Sequence, residues 1–146
     1  MSATELKAEG NKMLAAKQYS EAIENYTKAI ELDDKDHTFF GNRSMAYLYN
    51  GEPEKAVADA DKCIEIKGDW AKGYIKKAQA FQKMGDFDNA TKAVEAGLAV
   101  LPDESSLQDC LKEVERASMA PPPGGGLGGL FGPEMLTKLG RSKSKT

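Results

Sequence analysis

His37-Thr38-Phe39-Phe40-Gly41-Asn42-Arg43-Ser44-Met45-Ala46-Tyr47 decides the fold, because its large and small residues return 34 positions away in both directions. Counting from Ala3, His37 and Ala71, the fourth position reads Leu6, Phe40 and Tyr74, and the eleventh reads Met13, Tyr47 and Phe81. The eighth reads Gly10, Ser44 and Ala78, and the twentieth reads Ala22, Ala56 and Ala90, all of them small. Small residues at fixed places let paired helices approach closely, while large ones fill the gap to the next pair. A period of 34 belongs to helical-hairpin arrays, which need about three stacked units to bury their apolar faces. The expected fold is therefore all-α: a right-handed superhelix of three hairpins, near 3–36, 37–70 and 71–104, closed by a capping helix over 104–119.

Start and stop signals set the helix bounds. The first helix is predicted over Ala3–Ala16 with Ser2 or Thr4 at its start, and Lys17-Gln18 makes the turn. Ser20, an N-cap type, is expected to open the second helix, which ends at Leu32. The third, His37–Asn50, stops at Gly51, and Pro53 opens the fourth, which runs to Ile66. The fifth covers Trp70–Met84 and closes at Gly85, Asp86 caps the sixth over Phe87–Leu101, and Pro102 prevents its extension. Leu107, Leu111 and Val114 form one stripe on the last helix, with Lys112, Glu113, Glu115 and Arg116 on its polar side, as suits a solenoid end.

Composition excludes several functions. The 146 residues are 40% hydrophobic and 29% charged, within the ordinary range of a globular domain. No apolar run approaches the length of a membrane span, and the polar start Met1–Lys7 lacks a signal peptide's apolar stretch, so an intracellular, cytoplasmic protein is expected. Cys63 and Cys110 make neither a disulfide framework nor a metal-ligand spacing, and Cys63 falls where Ala29 and Gly97 stand, as a packing residue would. Residues 120–146 hold four Lys and Arg against one Glu, leaving 16 against 22 acidic residues in 1–119. An acidic array does not suit nucleic acid, whose phosphates require a basic face. Neither nucleic acid nor membrane is expected as a partner, and no cofactor is implied. His37 has no nucleophile near it, Ser44 occupies a packing position and no phosphate-binding glycine loop is present, so no enzyme is expected.

After Ala120 comes Pro121-Pro122-Pro123-Gly124-Gly125-Gly126, read as a linker over 120–129. Residues 130–146 hold a short apolar segment, with Leu130, Phe131, Met135, Leu136 and Leu139, and then a basic tail expected to be disordered.

In a helical-hairpin array the first helix of each pair lines the concave side. Lys7 and Asn11, Asn42, and Lys72 with Lys76 lie on first helices beside the packing positions and look into one groove. A lone helical Lys is more often a solvated charge, and Lys7 has Asn11 or a nearby acid within reach. Asn42 and Asn11 are harder to explain as scaffold, because Asn is a mediocre helix former. Ammonium groups with oriented carboxamides suit a small group with several negative oxygens, and a peptide C-terminus ending in an acidic residue is such a group.

The registers resemble the tetratricopeptide repeat over residues 3–119, with Leu6 where an aromatic is usual, Ala60 where one often stands, and only Pro102 keeping the closing proline. Glu5-Leu6-Lys7-Ala8-Glu9-Gly10-Asn11, Asn42-Arg43-Ser44 and Trp70-Ala71-Lys72-Gly73-Tyr74 resemble more narrowly its carboxylate-clamp co-chaperone class, especially the first repeat domain of the heat-shock-chaperone organising type. The resemblance implies that Lys7, Asn11, Asn42, Lys72 and Lys76 hold the carboxylates of a chaperone tail ending Glu-Glu-Val-Asp. Arg often stands at the place of Lys76 in that class, so a point charge here replaces a planar bidentate contact. Leu14, Met45 and Leu48 are implied as the apolar wall for the Val. The 70-kilodalton heat-shock chaperone is the implied partner, with the 90-kilodalton one as competitor. Leu130-Phe131-Gly132-Pro133 with Met135, Leu136 and Leu139 faintly resembles the start of the helical domain that follows in that class. An adaptor that takes an internal peptide of an unrelated protein stays open beside this reading.

Overall fold

The computed structural model describes residues 1–119. The expected linker over 120–129 and the apolar segment and tail over 130–146 lie outside the described residues. The chain divides into two units, 1–115 and 116–146, and of the second only the last residues of a helix are described.

Among the described residues seven helices follow one another: α1 (Ala3–Ala15), α2 (Tyr19–Leu32), α3 (His37–Tyr49), α4 (Pro53–Ile66), α5 (Ala71–Lys83), α6 (Phe87–Val100) and α7 (Ser105–Met119). Each packs against its neighbour from α1 to α6, and α3 also touches both α1 and α5, so α1, α3 and α5 share one face.

The loops inside the hairpins repeat as faithfully as the helices. Lys17, Gly51 and Gly85 all take the left-handed conformation, with φ of 63°, 81° and 76°. The next amide in each case, of Gln18, Glu52 and Asp86, donates back to the carbonyls of Met13, Tyr47 and Phe81 at 2.8–2.9 Å, which satisfies the end of the preceding helix. Lys17 therefore does the work of a glycine. This geometry explains why Ser20 does not open α2: the turn commits the chain to helix at Tyr19, Gln18 takes the cap position without a side-chain bond, and Ser20 falls in the first turn. At α1 and α6 the caps are as the sequence indicates. Ser2 and Glu5 form a reciprocal capping box, and the Asp86 carboxylate accepts from the Asn89 amide at 3.2 Å.

Small residues meet large ones at each interface. A Cβ on Gly10 would lie 2.6 Å from the Tyr26 ring, and one on Gly97 would lie 2.9 Å from Tyr74. Ala22, Tyr26 and Ala46 form one buried cluster, Leu6, Ala29 and Phe39 a second, and Tyr74, Ala78, Ala90 and Val94 a third. Leu107 and Val114 of α7 complete that third cluster with Leu111 packed beside them, as the apolar stripe predicts. Ser44 is buried and donates to the Ala56 carbonyl at 2.7 Å, a helix-to-helix bond at a close-approach position. Cys63 is fully buried among these packing residues, and burial pushes its thiol up to about 11. Among the described residues no helix is long and apolar enough to cross a membrane.

Candidate functional site

The five residues expected in the groove come from α1, α3 and α5, and three of them, Lys7, Asn11 and Asn42, take part in hydrogen bonds between α1 and α3. Asn42 Nδ2 donates to Asn11 Oδ1 at 3.1 Å, joining α3 to α1. Lys7 Nζ donates to Thr38 Oγ1 at 3.2 Å and lies 5.9 Å from the Phe39 ring centroid, again between α1 and α3. Neither Asn11 nor an acid is therefore the hydrogen-bond partner of Lys7. The Thr38 hydroxyl in turn donates to Asp36 Oδ1 at 2.6 Å. Burial would raise the Asp36 carboxyl, but bonds from the Thr38 hydroxyl and amide, with the nearby Lys7 charge, outweigh it and hold the group below its ordinary range.

Lys76 reaches the same place from α5. Gly41, which precedes Asn42, has no side chain, and a Cβ there would lie 3.5 Å from Lys76 Cε and 2.8 Å from the Trp70 ring. The bare backbone at Gly41 thus lets both the lysine stem and the indole lie against α3. Trp70 occupies the cap position of α5 without capping it, and its ring instead meets His37 edge-on at 4.7 Å. Trp70, the expected first residue of this helix, thus stands one residue outside it, and α5 begins at Ala71.

The charge state of Lys76 is the unusual feature. The residue is 8% exposed, and among the described residues no carboxylate stands within ion-pairing distance of it. Burial, and then the charge of Lys72 one turn away, push its ammonium below the ordinary lysine value. A buried cation without a counter-charge is costly, and an incoming anion removes that cost. Lys72 itself is exposed.

The next residue along α3 shows the opposite arrangement. Arg43 donates from Nε and Nη2 to the two carboxylate oxygens of the buried Asp59 at 2.7 and 2.8 Å, and from Nη1 to Thr27 at 3.1 Å. The hydrogen-bonded carboxylate raises the guanidinium pKa further. This bidentate pair joins α2, α3 and α4 and offers nothing to a ligand.

The expected apolar wall is not gathered in the same way. Leu14 packs against the cluster of Ala22, Tyr26 and Ala46. Leu48 lines a cleft of about 640 Å³ with Tyr49, Gly51, Gln79, Gln82, Lys83 and Glu113. Met45 is half-buried on α3.

One participant escaped the sequence reading. The Tyr26 hydroxyl, from α2, donates to Asn11 Oδ1 at 2.5 Å, and burial pushes its pKa up to about 12. Two signals were available in the repeat register. Tyr26 stands where Ala60 and Val94 stand in the other units, and the largest residue there faces the smallest at the eighth position, Gly10.

Comparison with known proteins agrees with this architecture. A family model described as the tetratricopeptide repeat matches residues 14–36, 37–69 and 71–103. The Protein STIP1 homolog of Dictyostelium discoideum is 40% identical over 138 residues, covering 94% of this chain and 24% of that protein. The chain spans about a quarter of the length of the first curated relatives it matches. Among solved structures, the second repeat domain of human RPAP3 in complex with the HSP70 peptide SGPTIEEVD superposes with a TM-score of 0.70 at 27% identity, covering 77% of this chain and 94% of that one. The first repeat domain of Spaghetti (RPAP3), bound to the HSP90 peptide SRMEEVD, gives 0.71 at 25% identity, covering 82% and 94%.

Proposed function

The chain belongs to the tetratricopeptide-repeat family, and on that premise we propose that it is a co-chaperone adaptor domain which captures the C-terminal tail of a heat-shock chaperone. The observation that carries the reading is Lys76, a buried ammonium with no counter-charge among the described residues, held against α3 beside the Asn11–Asn42 pair. A peptide ending in Asp brings two carboxylates a few ångströms apart. One meets Lys76 and Lys72, and the other meets Lys7 with the amide donors of Asn11 and Asn42.

Two relatives of known structure carry peptides ending Glu-Glu-Val-Asp, one from HSP70 and one from HSP90, which supports the class of ligand. The HSP70 tail is the first choice and the HSP90 tail its competitor, with Leu14, Met45 and Leu48 as the apolar contacts of the Val.

Charge-assisted hydrogen bonds contribute roughly 1.5–3 kcal/mol each, and ordering a flexible tail consumes much of their sum, so a Kd of about 1 μM is expected. Binding weakens as salt is raised.

The test is a titration with two peptides of one sequence ending Glu-Glu-Val-Asp, one with a free C-terminus and one amidated. Salt-sensitive binding of the free acid alone supports the clamp. Equal binding of both points to the alternative reading, a groove for an internal peptide. In that case Lys7→Ala and Asn42→Ala leave affinity unchanged.

A further inference from the structure

We propose that Tyr26 is a positioning residue of the clamp: its hydroxyl fixes which edge of the Asn11 carboxamide faces the ligand. The inference rests on the clamp reading above and assigns a role to a residue on a second helix, outside the row that lines the groove.

A carboxamide has one edge that accepts and one that donates, and a carboxylate ligand needs the donating edge. Left to itself, Asn11 at an exposed position can turn either edge outward. Here its Oδ1 accepts twice, from Tyr26 Oη at 2.5 Å and from Asn42 Nδ2 at 3.1 Å. With the oxygen occupied from within, Nδ2 and its two hydrogens are the edge left for an anion. Asn42 spends one amide hydrogen on Asn11 and keeps the other, so one acceptor orients both amides.

Local packing is built to deliver that hydroxyl. Tyr26 is fully buried, and its ring lies so close to Gly10 that a Cβ there would come within 2.6 Å. The other two units pair Ser44 with Ala60 and Ala78 with Val94 at the same register, and they carry Met45 and Gln79 where Asn11 stands. Tyr at this place, Gly opposite and Asn next to it occur together in the first unit alone. Repeat packing requires a small–large match, which an apolar side chain also supplies, as Val94 does. It does not require a hydroxyl.

The bond also stiffens the site before a ligand arrives. An Asn rotamer fixed in the unliganded protein has less freedom to lose on binding, which lowers the cost of association. Tyr26 touches no part of the groove where the peptide lies in this reading, so its effect must pass through Asn11.

The experiment is a double-mutant cycle on the full chain, comparing wild type, Tyr26→Phe, Asn11→Ala and the double variant. Each is titrated with the free-acid and amidated peptides ending Glu-Glu-Val-Asp, using the fluorescence of the single tryptophan, Trp70, as one readout. The expected result is a loss of about 5- to 10-fold in free-acid affinity for Tyr26→Phe and no further loss when Asn11 is already Ala. Tyr26→Phe binding as wild type does, or costing the same factor in the Asn11→Ala background, overturns the proposal while leaving the clamp intact. A wild type that does not distinguish acid from amide overturns the clamp itself, and this proposal with it. If Tyr26→Phe does not fold, nuclear magnetic resonance on wild type carries the test. Peptide should shift the Asn11 Nδ2 protons strongly while the Tyr26 hydroxyl proton stays protected from exchange, and Nδ2 protons that do not respond overturn the proposal.

Discussion

Arg43 and Lys76 are two largely buried cations on adjacent helices, and the fold treats them in opposite ways. Arg43 is met by both oxygens of Asp59 and by Thr27, so its charge is spent inside the scaffold. Lys76 is buried against Gly41 with another cation, Lys72, as its neighbour, and its ammonium is pushed below the ordinary value. The difference separates a charge paired inside the scaffold from one with no paired carboxylate among the described residues. A protein under no functional demand would pair Lys76 or replace it with an apolar residue of similar length.

Substitution breaks this comparison most sharply at the paired site. Arg43→Ala leaves the Asp59 carboxylate buried and alone, and should lower unfolding free energy by about 3–5 kcal/mol in a denaturant titration. Lys76→Met removes an uncompensated charge, so the melting temperature should stay the same or rise. The same variant should lose about 2 kcal/mol of binding to the free-acid peptide, roughly 30-fold, by calorimetry. If Lys76→Met instead melts early and still binds, the two cations have been assigned the wrong way round.

A pH series sharpens the contrast. Lys76 has a depressed pKa in the folded protein, so between that value and the unfolded lysine value of about 10.4 the unfolded chain binds more protons than the folded one. Stability of the peptide-free protein from this group therefore rises with pH across that window. Affinity for the carboxylate falls across the same window, because the ammonium that the ligand needs is being lost. Lys76→Arg should remove both trends, since a guanidinium keeps its proton throughout. Parallel slopes for stability and affinity would contradict the assignment.

The smallest expected effect lies at the hairpin turns, where Lys17 holds a left-handed conformation that Gly51 and Gly85 adopt without strain. Lys17→Gly should raise stability by about 1 kcal/mol and leave peptide affinity unchanged. It separates scaffold from site without touching either cation.

The fold was legible because the sequence states it three times, and an error in one unit is corrected by the other two. The small–large alternation located the helices, and Gly51, Pro53, Gly85 and Asp86 marked their ends. Ser20 misled because cap preference is a weak local signal, whereas the turn at Lys17 is set by a repeat geometry that needs a left-handed residue whatever its type. The row Lys7, Asn11, Asn42, Lys72 and Lys76 on first helices could be read from the register; in the structure Asn42 bonds Asn11, Lys7 bonds Thr38 of α3, and Lys76 lies against Gly41 of α3. Three features were not legible. The absence of a counter-charge around Lys76 is a property of its surroundings in space, and a hydrogen bond from α2 to Asn11 crosses 15 residues of chain, which no periodicity encodes. Arg43 reads in sequence like any groove cation, and only the position of Asp59 on α4 shows that it is taken.

The most direct test follows the Lys76 ammonium itself, by nuclear magnetic resonance of its side-chain nitrogen across a pH titration, with and without saturating free-acid peptide. The account predicts a pKa below the ordinary lysine value in the peptide-free protein and a return to or above it in the complex. An ordinary pKa before peptide is added, or one that saturation leaves unchanged, would contradict the claim that this buried charge awaits a carboxylate.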